Sequence, residues 1–410
     1  MAKKPYYTSN TLIDAVKRKM AMPISQVTFS DQDILAFADE EMFLAQVPSI
    51  LQYHEEYFVY EQLVPMVPKQ SKYAIPPRAI GMKIRDLFYR DLAGQLVQMS
   101  RINPDDRSFF EVNSNTTPIP IHYYVQNNQI VITPAVTQNA TGNLVFTYYM
   151  RPNSLVTDDQ AAVCEHFSKD ITIVDNSSII QTELNRTVIK VGDYSLSAGI
   201  DFIVGSSNSE TANNLSSAIS LLDPVSIQTT IVGNAISVFY VDRTMSISSN
   251  TTSAITVQST ITIHIPDSAT MPENIISAGI VDILQTESGH STLNFDVKIQ
   301  PDAISNTSLT FNEEDIPSNF VVGDYICAQY ECIIPQVPTD VHNLLAERTC
   351  ARILESLGDK DGLQAANAKI SELEQRQATI IDSRVEGSPL KVLNRSGLLR
   401  ASRIRFGRRG

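Results

Sequence analysis

Long apolar runs are missing from this sequence. No stretch of its 410 residues approaches the roughly 18 consecutive apolar residues of a membrane-spanning helix. Two lysines near the start have no apolar segment behind them, so no secretory signal is read there. Cysteine is scarce: Cys164, Cys327, Cys332 and Cys350 are too few and too scattered for a disulfide framework. Cys327 and Cys332 stand further apart than a zinc knuckle, with no second Cys/His pair following. Reduced, partly buried thiols in a protein made in a cytoplasm are therefore expected, rather than a metal site. The histidines (54, 122, 166, 264, 290 and 342) are dispersed without metal spacing. Phosphate loop, Gly-x-Ser-x-Gly elbow and His-Glu-x-x-His helix are all absent. Carboxylate pairs such as Asp105-Asp106 and Glu313-Glu314 lie where helix starts and loops favour acids. His54-Glu55-Glu56, beside tyrosines, reads as a packing surface. No catalytic residue, metal or cofactor is expected.

Basic residues are thin over most of the chain and concentrated at one end. The formal charge is −13, but residues 391–410 hold seven bases and no acid, which leaves −20 on residues 1–390. Such a split argues against general nucleic-acid affinity over the body and for a basic arm with its own partner. Leu398, Leu399, Ile404 and Phe406 interleave with Arg400, Arg403, Arg405, Arg408 and Arg409. Apolar anchors between guanidinium groups suit a protein groove lined with carboxylates better than a DNA backbone.

Four segments differ in texture. Residues 9–64 read as helical, with Ser9 or Asn10 as a first cap, Pro23 as a stop, a Ser30/Asp33 capping box, and Pro48 marking a kink or new first turn. Prolines 65, 68, 76 and 77 then enforce extended chain. A small antiparallel sheet follows, built from IRDLFYRD, QLVQM, HYYVQNNQIVIT and LVFTYYM, with a hairpin turn at Asn127-Asn128 and a short helical turn at Pro104-Asp105-Asp106. Residues 165–310 are Ser/Thr/Asn-rich and carry only five bases (Lys169, Arg186, Lys190, Arg243, Lys298). They read as an inserted, mostly-β (α+β) domain with a helix from near Ser209. Residues 311–390 end in a helical hairpin, capped near Thr339/Asp340 and broken at Gly358. The expected fold class is α+β: a helical bundle with a small antiparallel sheet (1–164 and 311–390), an inserted domain (165–310) and a basic arm (391–410).

The segments YAIPPRAIGMKIRDL (73–87), GDYICAQYECIIPQVPTDVHNLLAERTCARILESLGDKDGLQAANAKISELE (323–374) and IDSRVEG (381–387) resemble the head-to-tail adaptor (connector, or neck-ring) proteins of tailed bacteriophages. The motif residues are Tyr73, Pro76, Pro77, Arg78 and Gly81, with Arg78 held in place on a proline-stiffened segment. The resemblance implies a structural protein of the virion at the head-tail junction. It implies a dodecameric ring of copies under the portal protein, a downstream tail or neck protein below, and genomic DNA passing through the lumen without specific contacts. It gives the C-terminal arm (Leu398, Leu399, Arg400, Arg403, Ile404, Arg405, Phe406, Arg408, Arg409) to the portal, and no membrane partner. The insert departs from compact members; it is expected to be dispensable for the rest of the fold. Two other readings compete: a β-rich tail or receptor-binding structural protein of the virion, in which the insert is the active part, and a virion cell-wall hydrolase, which needs a carboxylate pair in a cleft.

Overall fold

The Ser30 hydroxyl accepts the Asp33 N–H at 3.2 Å while Asp33 accepts the Ser30 N–H at 2.9 Å, so the capping box expected from sequence forms even with Asp in the Glu position. The computed structural model describes residues 7–20, 29–106, 122–133, 142–182, 185–242, 245–285, 295–317 and 320–381. Helix α1 (Ser9–Lys19) is capped by Thr8, one residue before the expected caps. Ser9 is instead buried, and its N–H and hydroxyl both donate to the Ile333 carbonyl, at 2.6 and 3.0 Å. Helix α2 (Asp31–Glu41) runs into α3 (Val47–Tyr53), which carries Pro48 in its first turn. Between them the chain widens into a π-turn, Met42–Gln46, in which Val47 N–H reaches back to the Met42 carbonyl. The wider turn accommodates a residue that has no N–H to give.

The expected helix over 9–64 stops short. Val59–Pro65 is a strand, β1, paired over its whole length with β8 (Asn143–Tyr149). Tyr60 and Glu61 therefore do not share a helical face with Tyr53; tertiary pairing overrides the local pattern. The single small sheet also becomes two. One has the order β1-β8-β3-β4, with β3 at Asp86–Arg90 and β4 at Leu96–Gln98. The other has the order β2-β7-β6-β5, with β2 at Lys72–Ala74, β5 at Ser100–Arg101, β6 at His122–Gln126 and β7 at Gln129–Thr133. Leu87, Leu144, Phe146 and Tyr148 of the first share a core with Tyr73, Tyr123, Ile130 and Ile132 of the second. The β6–β7 turn is the predicted one: Gln126 pairs with Gln129, and Asn127 and Asn128 take φ of 51° and 58°, the left-handed region asparagine tolerates. The expected turn at Pro104–Asp106 is a 3-10 turn; the expected stop at Pro23 lies outside the described residues.

Two short strands follow, β9 (Ser154–Leu155) and β10 (Ala162–Val163), before the insert-like region opens with β11 (His166–Ile173). That region holds a three-stranded sheet, β13-β12-β16 (Tyr194–Ser197, Val188–Val191, Ile247–Ser249). It also holds a larger one in the order β14-β15-β11-β18-β22-β21, with β17 also on β11. The strands are β14 (Ile227–Val232), β15 (Ala235–Tyr240), β17 (Ile255–Val257), β18 (Thr260–His264), β21 (Ala303–Ile304) and β22 (Ser308–Asn312). Helix α4 (Asn208–Leu222), capped by Ser207, buries Thr211, Leu215, Ala218 and Ile219 over β14 and β11. A short helix, α5 (Glu273–Ala278), leads to β19 (Val281–Leu284). A further sheet, β10-β23-β19-β20, brings together β19 and β20 (Phe295–Ile299) with β10 and β23 (Tyr325–Ala328). Strands from within 165–310 thus share a sheet with strands on both sides of it, β19 pairing directly with β23 and β10 joining on the far edge of β23. Parallel pairing of β24 (Glu331–Cys332) with β9 adds another link.

Helix α6 (His342–Leu357) starts after a 3-10 turn at Thr339–Val341, not from a side-chain cap at Thr339 or Asp340. Gly358, at φ 75°, closes it, and α7 (Lys360–Ile381) packs back along it. Leu12, Val16, Ile34, Ala38 and Ile50 from the N-terminal helices share one core with Val341, Leu345, Cys350 and Ile353. Each fully buried leucine, isoleucine or valine here contributes about 1.5–3 kcal/mol. The architecture is mixed α+β, with several sheets and a helical layer drawn from both ends of the described chain.

Candidate functional site

The segment 73–87 runs from sheet to turn to sheet. Tyr73 is buried on β2, its hydroxyl accepting the Val67 N–H at 3.1 Å. Pro76 and Pro77 carry the chain straight to Arg78, and the Ala79 N–H closes a turn on the Pro76 carbonyl at 2.9 Å. Gly81 takes φ 63°, which a β-carbon disfavours, and Met82 follows at φ 52° before the chain settles into β3. Pro76, Pro77 and Arg78 thereby reach one place, while Tyr73 and Gly81 anchor the two ends of the segment.

Arg78 is 6% exposed, and the residue that pairs with it is Asp282 of β19, 2% exposed. Its guanidinium donates to Asp282 Oδ2 and, at 2.7 Å, to Asn153 Oδ1, and lies 4.6 Å from the centre of the Tyr330 ring. Asp282 Oδ2 also accepts from Asn153 Nδ2 and the Tyr330 N–H, both at 2.9 Å, and Oδ1 accepts from the Lys298 N–H at 2.9 Å. Asn153 in turn is held by Gln336, which accepts its backbone N–H at 2.6 Å, and donates to the Glu331 carbonyl at 3.0 Å. Tyr330 sits at φ 71°, a strained position for a side-chain-bearing residue, secured by the bond to Asp282. One buried node therefore stitches together the 76–79 turn, the 150–153 segment, β19 and β20, and the 330–336 segment. A buried charge is tolerated only when paired and hydrogen-bonded, and both charges here are. The arrangement works as a clamp.

Clefts of about 480 and 410 Å³ flank the node, and Pro77, Arg78 and Tyr330 line both. The first also meets Phe43 of the π-turn, Val47 just after it, and the exposed Arg151. A second polar cluster braces the helices. Glu41 accepts from Arg352 at 2.5 Å and from Arg348 at 3.3 Å, and Arg348 reaches Glu374 of α7. Glu347 pairs with both Lys19 and Lys369. Burial by itself pushes the Glu347 carboxyl up; the two ammonium groups outweigh it and hold it below the usual carboxylate range. All four cysteines are free and buried, and burial pushes the thiols of Cys332 and Cys350 up to about 12. Among the described residues no helix is long and apolar enough to cross a membrane.

Of the two sets of candidate site residues named from sequence, the structure places that of the 73–87 segment. The arm residues from Leu398 to Arg409 lie outside the described residues. Asp282, Asn153, Tyr330 and Gln336 were not foreseen. A signal existed for one: Asp282 is a lone charge inside the apolar run IVDIL, and a charge in such a strand requires a buried partner.

Residues 7–175 match the SU10 adaptor protein family. The matched span runs from α1 into β11 and contains Arg78 and Asn153, while Asp282, Tyr330 and Gln336 lie beyond it. The match covers less than half of the chain and points to a phage adaptor protein. No curated protein matches the chain.

Proposed function

We propose that the chain is a structural subunit of a ring, twelve copies around, that sits under the portal, joins head to tail and continues the DNA channel. The match of residues 7–175 to the SU10 adaptor family carries the reading. The resemblance of 323–374 supports it, and that segment supplies the helix, α6, that completes the core of α1 and α2. In a cyclic ring each neighbour contact is heterologous and must close on itself, which requires stiff subunits. The Arg78–Asp282 node and the Glu41 and Glu347 clusters provide such bracing.

Charge divides the labour. The −20 carried by residues 1–390 favours an acidic or mixed lumen through which DNA slides without the friction of phosphate contacts. The basic arm, 391–410, docks into the portal, and a further tail or neck protein binds below. The role is structural rather than catalytic, and the protein resides in the virion neck. Imaging the neck with the subunit labelled tests the position, and a different protein directly under the portal overturns it. Deleting residues 396–410 tests the arm: portal binding should be lost with the fold unchanged, and full-affinity binding by the truncated chain makes DNA the arm's partner.

A further inference from the structure

The larger sheet of the 165–310 region buries one face only. Phe167, Ile171, Ile236, Val238, Ile261 and Ile263 point into the core. Because side chains alternate, His166 and Ser168 of β11, Phe239 of β15, and His264 of β18 point the other way. The register places His166 opposite His264, and Phe239 opposite both Ser168 and Gln228. The two imidazoles stack at 4.7 Å and 11°, and the Phe239 ring lies 5.3 and 5.2 Å from them. The Ser168 hydroxyl and His264 Nε2 are 2.8 Å apart, which fixes the second ring. Burial first, and the neighbouring His166 second, lower the His264 pKa to about 4, so that ring stays uncharged at neutral pH. The three rings, partly exposed and with Phe239 tilted by 66° and 55° to the imidazoles, make a small uneven platform on this face.

A shallow cleft of about 490 Å³ opens beside this platform, lined among others by Phe239, His166, Gln228, Thr230, Glu165 and Asp267. Gln228, Thr230 and Asp267 are exposed, so their hydrogen-bonding groups face solvent, yet strands hold the first two in register. No lysine or arginine is among the described residues that line it. We propose that this cleft binds a saccharide, neutral or amine-bearing, on the outer face of the sheet. A sugar ring presents a flat C–H face and a rim of hydroxyls. It asks for an apolar platform with fixed polar groups around it, which is what Phe239, Gln228, Thr230 and the two carboxylates supply. The cleft is mixed: the exposed Val225 and Val241 line it together with Gln228, Thr230, Glu165 and Asp267, so it lacks the desolvated apolar centre that a protein partner would call for. Glu165 and Asp267 repel anionic sugars and accept hydrogen bonds from hydroxyls or an ammonium. The inference does not depend on the ring: the cleft binds sugar wherever the subunit sits.

The test is NMR on the full chain, following the imidazole resonances of His166 and His264 while titrating soluble tetramers of glucose, galactose, mannose, N-acetylglucosamine, N-acetylgalactosamine and glucosamine, with a sialic acid tetramer as the anionic probe. At least one neutral or amine-bearing tetramer should shift both resonances saturably, and the sialic acid tetramer should not. Phe239→Leu should weaken that binding by about tenfold or more, the loss of one good aromatic contact. Gln228→Ala, at an exposed position where folding is not at stake, should weaken it too. The idea is overturned if no neutral or amine-bearing tetramer shifts these resonances, if the sialic acid tetramer binds as well, or if Gln228→Ala leaves affinity unchanged. It is equally overturned if a purified tail protein, and no sugar, moves them.

Discussion

Replacing Asp282 by Asn keeps the shape of the side chain and removes its charge. The amide oxygen can take the place of Oδ2, where Arg78, Asn153 and the Tyr330 N–H converge. The amide nitrogen then faces the Lys298 N–H, which now meets a donor where it had an acceptor at 2.9 Å. An unsatisfied buried donor costs about 1–3 kcal/mol. The bonds that Asn153 and the Tyr330 N–H donate fall from charge-assisted to neutral, and Arg78 loses the carboxylate charge of Asp282. The total should be about 3–5 kcal/mol, as for other buried pairs broken from one side. Because Arg78 and Asp282 interact directly, the double variant Asp282→Asn/Arg78→Met should be less destabilised than the sum of the singles by about 2 kcal/mol or more. Denaturant unfolding of the four proteins measures the cycle. Hydrogen exchange at the Lys298 and Tyr330 amides, both bonded to Asp282, should accelerate in the single variant. A loss under about 1 kcal/mol, additive variants, or unchanged exchange at both amides would refute the reasoning.

Three further outcomes are expected. Burial raises the Asp39 pKa to about 7 although its carboxylate accepts the Leu155 N–H at 2.9 Å. The folded state therefore holds a proton that the unfolded chain releases from about pH 4 upward, and stability falls as pH rises from there through about 7, by about 4 kcal/mol at most. Asp39→Asn should flatten that part of the pH–stability curve, and an unchanged slope would remove Asp39 as its source. Gly142 has φ +130°, and a β-carbon there would lie 2.5 Å from the Arg90 carbonyl oxygen. Gly142→Ala should therefore lower stability by about 1–3 kcal/mol, and a neutral Tm would show that the β3–β8 corner yields. Excising residues 165–310 takes Asp282 away from Arg78, so a Gly/Ser-linked remainder should be recovered in better soluble yield with Arg78→Met than without it. Equal yields would mean that the loss of the Arg78–Asp282 pair does not limit folding.

Features decided within a few residues were legible before any tertiary contact was known. Ser30 and Asp33 cap each other, Asn127-Asn128 turns the chain in the left-handed region, and Gly358 ends α6. Each is a local hydrogen bond or a local φ preference, and both are properties of the residues themselves. The segment 73–87 was recognisable too, because prolines stiffen it whatever surrounds it. Val59–Pro65 was not: its spacing fits a helix face, and only the seven-residue pairing with β8 makes it a strand. Nor could sequence find the partner of Arg78, since Asp282 lies 204 residues away. The same holds for the ring platform, where β11, β15 and β18 each supply rings that are unremarkable alone. Pairing across such distances depends on which strands become neighbours, and that is settled by the burial of whole apolar faces rather than by any short run of residues.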